Sequence, residues 1–521
     1  MITKLEFIEA MALIKESVGY FGPEAVLSIA VIVLLLHDLF TKGARPERAA
    51  WVASGFLAVA GLLLWRQTGV HDPDHIPAGS SEIFGWLVTS DAGEVGHKGM
   101  LAIDGFGKFF KVFVLLGTLV TIPMCLAHPA FKNRRMGEFY ALLVAATLGM
   151  FLMASATNLL MVYMGIEFAS MASYLAVAFV KRDRRGSEAG LKYVVYGSVA
   201  SGVMIYGLSL IYGMTGSLHM SDLAEFSVVS AESSSLFVAS VLIFAGFAYK
   251  MASFPMHFWC PDVYEGAPVP FTAYLSVTSK AAGFAVFIRF LMAMGDVTVG
   301  GDDGGYVASF GWQGLIGGAA AFSMTAGNVA ALWQTNLKRM LAYSSIAQAG
   351  YLLMGVAVLT PDGGAEQYGP ILFYFIAYFF MNLGAFFVVT LVAAKTGSED
   401  LDGYRGLITR APALTILLGL CLISLLGLPP TGGFIGKLQL FQMAISGGML
   451  WLAVVGGINT AISAYYYFRI IKVATLDEAE DARPLAFDWS FMTLVAILAV
   501  PILVLGVAFN PVVEFTRQFG L

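Results

Sequence analysis

Apolar runs of roughly 20 residues, the length a helix needs to cross a bilayer, recur from Gly22 to the C-terminal end with short polar breaks between them. With turn and charge signals marking the limits, they predict spans at Gly22 to Phe40, Trp51 to Trp65, Leu101 to Ala127, Glu138 to Ala156 and Asn158 to Val180. Further spans are predicted at Ser187 to Gly213, Ser234 to Met256, Phe271 to Gly295, Tyr306 to Gln334, Arg339 to Thr360 and Pro370 to Lys395. The last are Ala411 to Ile445, Gly448 to Lys472 and Trp489 to Asn510. The pattern predicts an all-α integral membrane protein of about fourteen transmembrane helices.

Two spans break the pattern in a related way. The seventh runs AYKMASFPMHFWCPDVYEGAPVP and the twelfth LLGLPPTGGFIGKLQLF, each mixing proline or glycine with a buried lysine. Proline removes a backbone donor and clashes with the preceding turn, so both helices are expected to be interrupted. The breaks lie five spans apart, and an odd offset inverts the second copy of a repeated five-helix unit. Helices 4–8 and 9–13 are therefore expected to form two inverted five-helix repeats, a transporter signature. This divides the chain into 1–137 (the first three helices), 138–305 (first repeat), 306–474 (second repeat) and 475–521 (a loop and the last helix).

Charge orients these spans. Lys42, Arg45 and Arg48, Lys132, Arg134 and Arg135, Lys181, Arg182, Arg184 and Arg185, Lys338 and Arg339, and Arg405 and Arg410 fall in alternate loops. The intervening loops hold Asp72 and Asp74, Asp222 and Glu225, Asp302 and Asp303, and Asp362 and Glu366. The positive-inside rule makes the basic side cytoplasmic, which puts both termini outside a multi-pass protein of the cell membrane. The N-terminal stretch carries Glu6, Glu9, Lys15 and Glu16 and reads as an ordinary segment rather than a signal peptide.

Composition agrees with lipid as the solvent: 58% of the 521 residues are hydrophobic and only 12% charged, about half the charged share of a soluble domain. The formal net charge of -5 decides little, because its distribution over loops matters more than its sum. The three cysteines, Cys125, Cys260 and Cys421, are isolated, which argues against a disulfide framework, a zinc site or an iron–sulfur cluster. Without a HExxH, Walker or dinucleotide motif in its proper setting, no metal, nucleotide or ATP site is expected. Nor is a nucleic-acid partner.

Against that apolar background, a charge at the centre of a span costs roughly 2.5–3.5 kcal/mol on insertion scales and needs a reason. Four stand out by depth: Glu167 in NLLMVYMGIEFASMASYL, Lys250 in IFAGFAYKMASFP, Lys280 in AYLSVTSKAAGFAVF and Lys437 in TGGFIGKLQLF. Unpaired, they would cost on the order of 10 kcal/mol together. One reading makes Glu167 and Lys250 a static ion pair, with Lys280 and Lys437 snorkelling or bonded to carbonyls freed at the breaks. Helix association alone, however, is served by small residues and hydroxyls. The four are better explained as proton carriers, in which moving a carboxylate toward or away from a lysine loads or releases a proton.

Other positions carry two readings. Arg289 lies about 13 Å along the helix from Lys280 and is expected to snorkel to the outer end. Glu188 and Lys192 have the i,i+4 spacing of an ordinary helix pair and could equally serve proton uptake. His257, Asp262 and Glu265 cluster after the broken seventh helix, where loop and cap bonding is weighed against proton uptake from the cytoplasm. In SSIAQAGY, Ser344, Ser345 and Gln348 could hold a water chain or simply bond helix to helix.

These residues and several longer stretches resemble a family, the antiporter-like membrane subunits of respiratory complex I. The stretches are GSEAGLKYVVYGSVASGVMIYGLSLIYGMTGS, PMHFWCPDVYEGAPVPFTAYLSVTSKAAGFA, NLKRMLAYSSIAQAGYLLMG and LPPTGGFIGKLQLF, within a likeness that covers nearly the whole chain. The GSEAGLKY tract and the lysine of the eighth span resemble the subunit N branch more than its larger paralogues. The resemblance implies that Glu167 and Lys250 are the family's glutamate–lysine pair, Lys280 its central lysine and Lys437 its exit-side lysine. At Gln348 related sequences can carry histidine; glutamine cannot titrate, so protons would pass it through water. The implied activity is proton translocation coupled to electron transfer from NADH to quinone. No cofactor is expected in this chain. NADH, FMN, iron–sulfur clusters and quinone are expected in partner subunits: antiporter-like paralogues, small hydrophobic subunits and a peripheral redox arm. The rival readings are a subunit of a multisubunit sodium/proton antiporter or of a ferredoxin- or hydrogenase-linked ion pump.

Overall fold

A computed structural model describes residues 17–18, 20–41, 46–67, 82–83, 86–89, 95–131, 134–181, 183–223, 234–294, 312–360, 363–479 and 483–521. Glu6, Glu9, Lys15, Glu16, Lys42, Arg45, Asp72, Asp74, Lys132, Arg182, Glu225, Asp302, Asp303, Asp362 and the expected start of the ninth span at Tyr306 lie outside the described residues.

The apolar runs fold as helices close to where the pattern puts them. They are α1 (Gly22–Thr41), α2 (Pro46–Arg66), α3 (Gly105–Ala127), α4 (Met136–Ser155), α5 (Leu159–Val177) and α6 (Arg184–Thr215). The seventh span divides into α7 (Ser234–Met251) and the short α8 (Trp259–Gly266). Then come α9 (Val269–Ala293), α10 (Trp312–Ala331), α11 (Leu337–Val356) and α12 (Gly369–Thr396). The twelfth span divides into α13 (Pro412–Leu426) and α14 (Gly432–Ser446), followed by α15 (Leu450–Thr475), α16 (Trp489–Val507) and α17 (Asn510–Thr516). Among the described residues, nine helices are long and apolar enough to cross a membrane.

Both expected interruptions are present. Ala252, at φ 54°, ends α7, and Gly427, at φ 87°, ends α13. Each break frees carbonyls that the missing next turn would have used.

The all-α expectation needs one correction. Between α2 and α3 lie short strands, β1 (Glu82–Ile83), β2 (Trp86–Thr89), β3 (Val95–Lys98) and β4 (Leu101–Ala102), with β1 paired to β4 and β2 to β3, both antiparallel. Leu101 and Ala102, expected to open the third span, pair as a strand because α3 begins only after its cap at Asp104. Apolar content alone cannot tell a two-residue strand from the start of a helix.

Helices pack through small residues. A Cβ on Gly149 of α4 would sit 2.5 Å from the backbone nitrogen of Ala169 in α5, so only glycine lets these two helices meet so closely. α10 packs on α11 and α6 on α7. Asp183, Arg185, Lys338 and Glu399 gather around one pocket at one end of the bundle, the basic end.

Candidate functional site

The core of the bundle is largely apolar, and among its buried polar groups are three lysines, Lys250, Lys280 and Lys437, each with polar neighbours. The central one is Lys280, 2% exposed, which follows a π-helical turn at Leu275–Ser279 within α9. Such turns release a backbone bond and re-aim the side chains beside them. Lys280 Nζ donates to the carbonyl and to the Oγ of Ser345 on α11, at 2.5 and 2.6 Å. Ser345 Oγ shares a hydrogen with Tyr378 OH of α12 at 2.9 Å. Tyr378 also donates to the Ser276 carbonyl at 3.2 Å, and Asn382 Nδ2 donates to Ser276 Oγ at 2.7 Å. Three helices are thus tied together around one ammonium.

From this centre a second set of groups leads to Lys437. Ser344 Oγ lies 2.5 Å from Tyr467 OH. Gln348 Nε2 donates to Tyr467 OH at 3.4 Å and to the Leu425 carbonyl at 2.9 Å, and Tyr374 OH donates to Gln348 Oε1. Lys437 Nζ, on the first turns of α14, donates to the carbonyls of Leu425 and Leu426 at 3.0 Å each and sits 4.3 Å above the Tyr351 ring. Those carbonyls end α13, so the helix break supplies the acceptors that the buried lysine needs. The Leu425 carbonyl is shared by Gln348 and Lys437, which makes the amide the link between the two lysines' surroundings.

On the other side, Lys250 in the last turn of α7 donates to Ser170 Oγ of α5 at 3.1 Å. Its stem packs on α9: a Cβ at Gly283, three residues past Lys280, would lie 3.2 Å from Lys250 Cγ. Glu167, one turn before Ser170, accepts from Ser201 Oγ of α6 at 2.5 Å. Glu167 and Lys250 are not in ion-pair contact; each holds a different serine. Glu167 is half-exposed, on a face of α5 where Met164, Phe168 and Met171 are also exposed.

At the basic end, Lys192 of α6 bonds Glu188 and Asp262, both at 2.8 Å, and Arg339 of α11 bonds Asp262 at 2.6 Å and Glu265 at 2.8 Å. The i,i+4 pair and the loop cluster thus belong to one network bridging α6, α8 and α11. His257 lies outside it, with its ring 4.3 Å from that of Phe258 and its buried Nδ1 without a partner. Nearby, buried Lys338 pairs with Glu399 at 2.8 Å and donates to the Ala267 carbonyl at 3.0 Å. Outside the helices, His128 is buried between α3 and α4 and its Nδ1 accepts the Ala130 N–H at 3.3 Å. Burial, with help from the Lys338 charge, pushes the imidazole down to about 4.

Residues 156–463 match the family model described as NADH:quinone oxidoreductase/Mrp antiporter, TM. Over 524 aligned residues the chain is 42% identical to an NADH-quinone oxidoreductase subunit N of Anaeromyxobacter sp., covering 96% of this chain and 95% of that protein. The chain belongs to the subunit N family. A second member, from Chlorobium chlorochromatii, is 41% identical over 99% of this chain and 98% of its own length. Among solved structures, a chain of respiratory complex I from Thermus thermophilus is 27% identical and superposes with a TM-score of 0.75, covering 96% of this chain and all of that one. A chain of the Mrp complex from Dietzia sp. superposes as well, at a TM-score of 0.77 over 97% of this chain and 96% of that one, but at 18% identity. The likeness to Mrp is therefore one of fold alone, and it is the sequence that separates the two branches.

In this subunit N family member, the structure departs from sequence reasoning at Arg289. It does not snorkel: it is 7% exposed, and its Nη1 and Nη2 donate to the two oxygens of Asp104 at 2.6 and 2.9 Å. Asp104 also caps α3, so a counter-ion waits where the helix end was expected to meet solvent. Sequence reasoning missed this acid and the buried Glu24–Lys111 pair at 2.6 Å, and it read Lys338 only as a loop charge, not as a buried residue paired with Glu399. Ser344 and Ser345 were among its candidates, but it missed Ser170, Tyr374, Tyr378 and Tyr467. Tyr374 and Tyr378, four apart in FYFIAYFF, lie on one helix face, and that spacing was the available signal.

Proposed function

We propose that this chain is the proton-translocating, non-redox membrane subunit of an NADH-quinone oxidoreductase, carrying protons along Glu167, Lys250, Lys280 and Lys437. The observation that carries the proposal is how the three buried lysines are held: Lys250 by Ser170, Lys280 by Ser345 with Tyr378 behind it, and Lys437 by two carbonyls, one of them shared with Gln348, with no carboxylate among the described residues in ion-pair contact with any of them. A lysine held by hydroxyls and carbonyls can give up its proton without leaving a buried carboxylate unpaired, whereas a locked ion pair resists that change. Gln348 passes protons by reorienting water or hydroxyl partners. Glu188, Lys192, Asp262 and Glu265 stand where protons would be taken up, with His257 between that network and the break, and Ser344 belongs to the relay.

The fourteen crossings and the two inverted five-helix units, with boundaries near residues 138, 306 and 475, are part of the same proposal. The two matched helix breaks support it, since each places a lysine at or beside a helix end. The basic end is cytoplasmic and both termini lie outside, on the strength of the loop charges. Glu167, half-exposed among Met164, Phe168 and Met171, is too costly to face lipid and therefore faces a neighbouring membrane subunit. NADH, FMN, iron–sulfur clusters and quinone belong to partner subunits.

The test is isolation of the intact assembly in mild detergent, identification of its companions and reconstitution in vesicles. NADH-driven quinone reduction with outward proton transfer is expected. An assembly without flavin and iron–sulfur subunits that exchanges sodium for protons would assign the chain to an antiporter instead.

A further inference from the structure

A pocket of about 750 Å³ opens at the basic end, away from the three buried lysines. Its volume is in the range of small-molecule sites, roughly 300–1,000 Å³. It lies where α2, the last turns of α3 and α12, and the starts of α4 and α16 come together, and its lining is divided. Trp51, Ile122, Leu126, Leu391 and Phe491 make an apolar wall, while Glu47, Lys395 and Asp488 supply charge. Trp51 is exposed, as a ring at the lipid–water boundary would be. None of the three charged side chains bonds to another residue among those described, although they line one pocket. Tyr140 also lines it, and its buried hydroxyl has no hydrogen-bond partner.

We propose that this pocket binds one phospholipid with an amine-bearing, zwitterionic headgroup, the phosphate on Lys395, the ammonium between Glu47 and Asp488, and an acyl chain along Trp51, Ile122, Leu126 and Phe491. The charge count selects this class. A single lysine with two carboxylates presents a net negative site, which repels an anionic headgroup but complements one that carries both a phosphate and an ammonium. That is unusual for this end of the bundle, where basic residues otherwise favour anionic lipid. All three charges are exposed at the mouth of an apolar cleft, where a headgroup would meet them while the acyl chain enters.

The experiment uses the intact complex in vesicles containing photoactivatable acyl-chain analogues of phosphatidylethanolamine or phosphatidylglycerol, with adducts mapped by peptide mass spectrometry. The ethanolamine lipid is expected to label peptides containing Ile122, Leu126 and Phe491 in preference to the glycerol lipid. Lys395→Gln, an exposed change that the fold tolerates, should lower that labelling about fivefold, the size of one interfacial ion pair. Glu47→Gln with Asp488→Asn should abolish the preference between the two lipids. Equal labelling by both lipids in the wild type overturns the proposal. So does no labelling of these peptides, which would mean that a neighbouring subunit fills the pocket.

Discussion

Replacing Lys280 by methionine removes the central ammonium of the three and keeps most of its stem. The lysine now makes two short charge-assisted bonds, to the Ser345 carbonyl and Oγ, each worth roughly 1.5–3 kcal/mol. Against this stands the cost of holding an ammonium in the bundle, several kcal/mol for a buried ion. The two nearly cancel, and Ser345 Oγ keeps Tyr378 as a partner. Lys280→Met is therefore expected to change the stability of the chain by no more than ~1–2 kcal/mol and to leave assembly intact. Proton transfer is another matter, because among the described residues no other lysine, histidine or carboxylate bonds to the groups between the Lys250 side and the Lys437 side. In reconstituted complexes the number of protons moved per electron should fall. Coupled NADH oxidation should slow on the order of tenfold, the effect of a ~1.4 kcal/mol rise in a transfer barrier. Ser345→Ala, which spares the lysine and its carbonyl bond, should have a smaller effect. A wild-type proton-to-electron ratio in an assembled Lys280→Met complex would refute the reasoning and leave Lys280 as a structural residue.

Three further outcomes follow from other parts of the molecule. A cysteine placed at Arg184 should resist an impermeant reagent added outside the cell while one at Asp303 reacts, and the opposite result would invert the topology. Arg289→Met should cost ~3–5 kcal/mol by leaving Asp104 without its counter-ion, read as loss of subunit from the complex on mild heating; unchanged retention would mean that the pair contributes little. His128 is held neutral in the fold with its pKa pushed to about 4, whereas an unfolded histidine titrates near ~6.5. The unfolded chain therefore takes up the proton first, and stability is lost as pH falls from about 6.5 toward about 4. His128→Asn retains an acceptor for the Ala130 N–H and cannot titrate, so its thermal stability should decline less across that range; parallel declines would exclude His128 as the cause.

Much of this was legible in the chain because membrane physics leaves few choices. Glu167, Lys250, Lys280 and Lys437 stand out because a charge in a run of apolar residues has no cheap explanation, and proline and glycine announced the breaks at Met251 and Leu426. What was not legible depends on pairing across helices. Arg289 reads as a helix-end cation until Asp104, 185 positions away, is brought beside it. Lys111 and Glu24 sit near helix ends, where charge is common, and only packing turns them into a buried pair. The π turn before Lys280 has no proline or glycine to mark it. Serine and tyrosine hydroxyls are cheap in a membrane helix because they can bond their own backbone, so composition does not reveal which of them reach a lysine.

The relation of Glu167 to Lys250 carries the remaining prediction. In direct contact, at 4 Å and an effective dielectric of 20, opposite charges would interact by ~4 kcal/mol. They are not in contact; Ser201 holds the carboxylate and Ser170 the ammonium, and Ser170 lies on the same helix as Glu167, one turn away. The resting coupling is therefore below that figure, and the pair is in an open arrangement, which a switch needs as one of its two states. Bringing Glu167 toward Lys250 would favour the protonated lysine; withdrawing it to Ser201 would favour release. On this account Glu167→Ala and Lys250→Ala each stop the cycle, and the double variant loses little more than the worse single one. Glu167→Asp, shorter by one methylene, should keep part of the activity, and Ser201→Ala should shift the balance by removing the group that holds the carboxylate away. The measurement is a double-mutant cycle on proton transfer and quinone reduction in assembled complexes. Fully additive losses would show that the two groups work independently and would refute the switch.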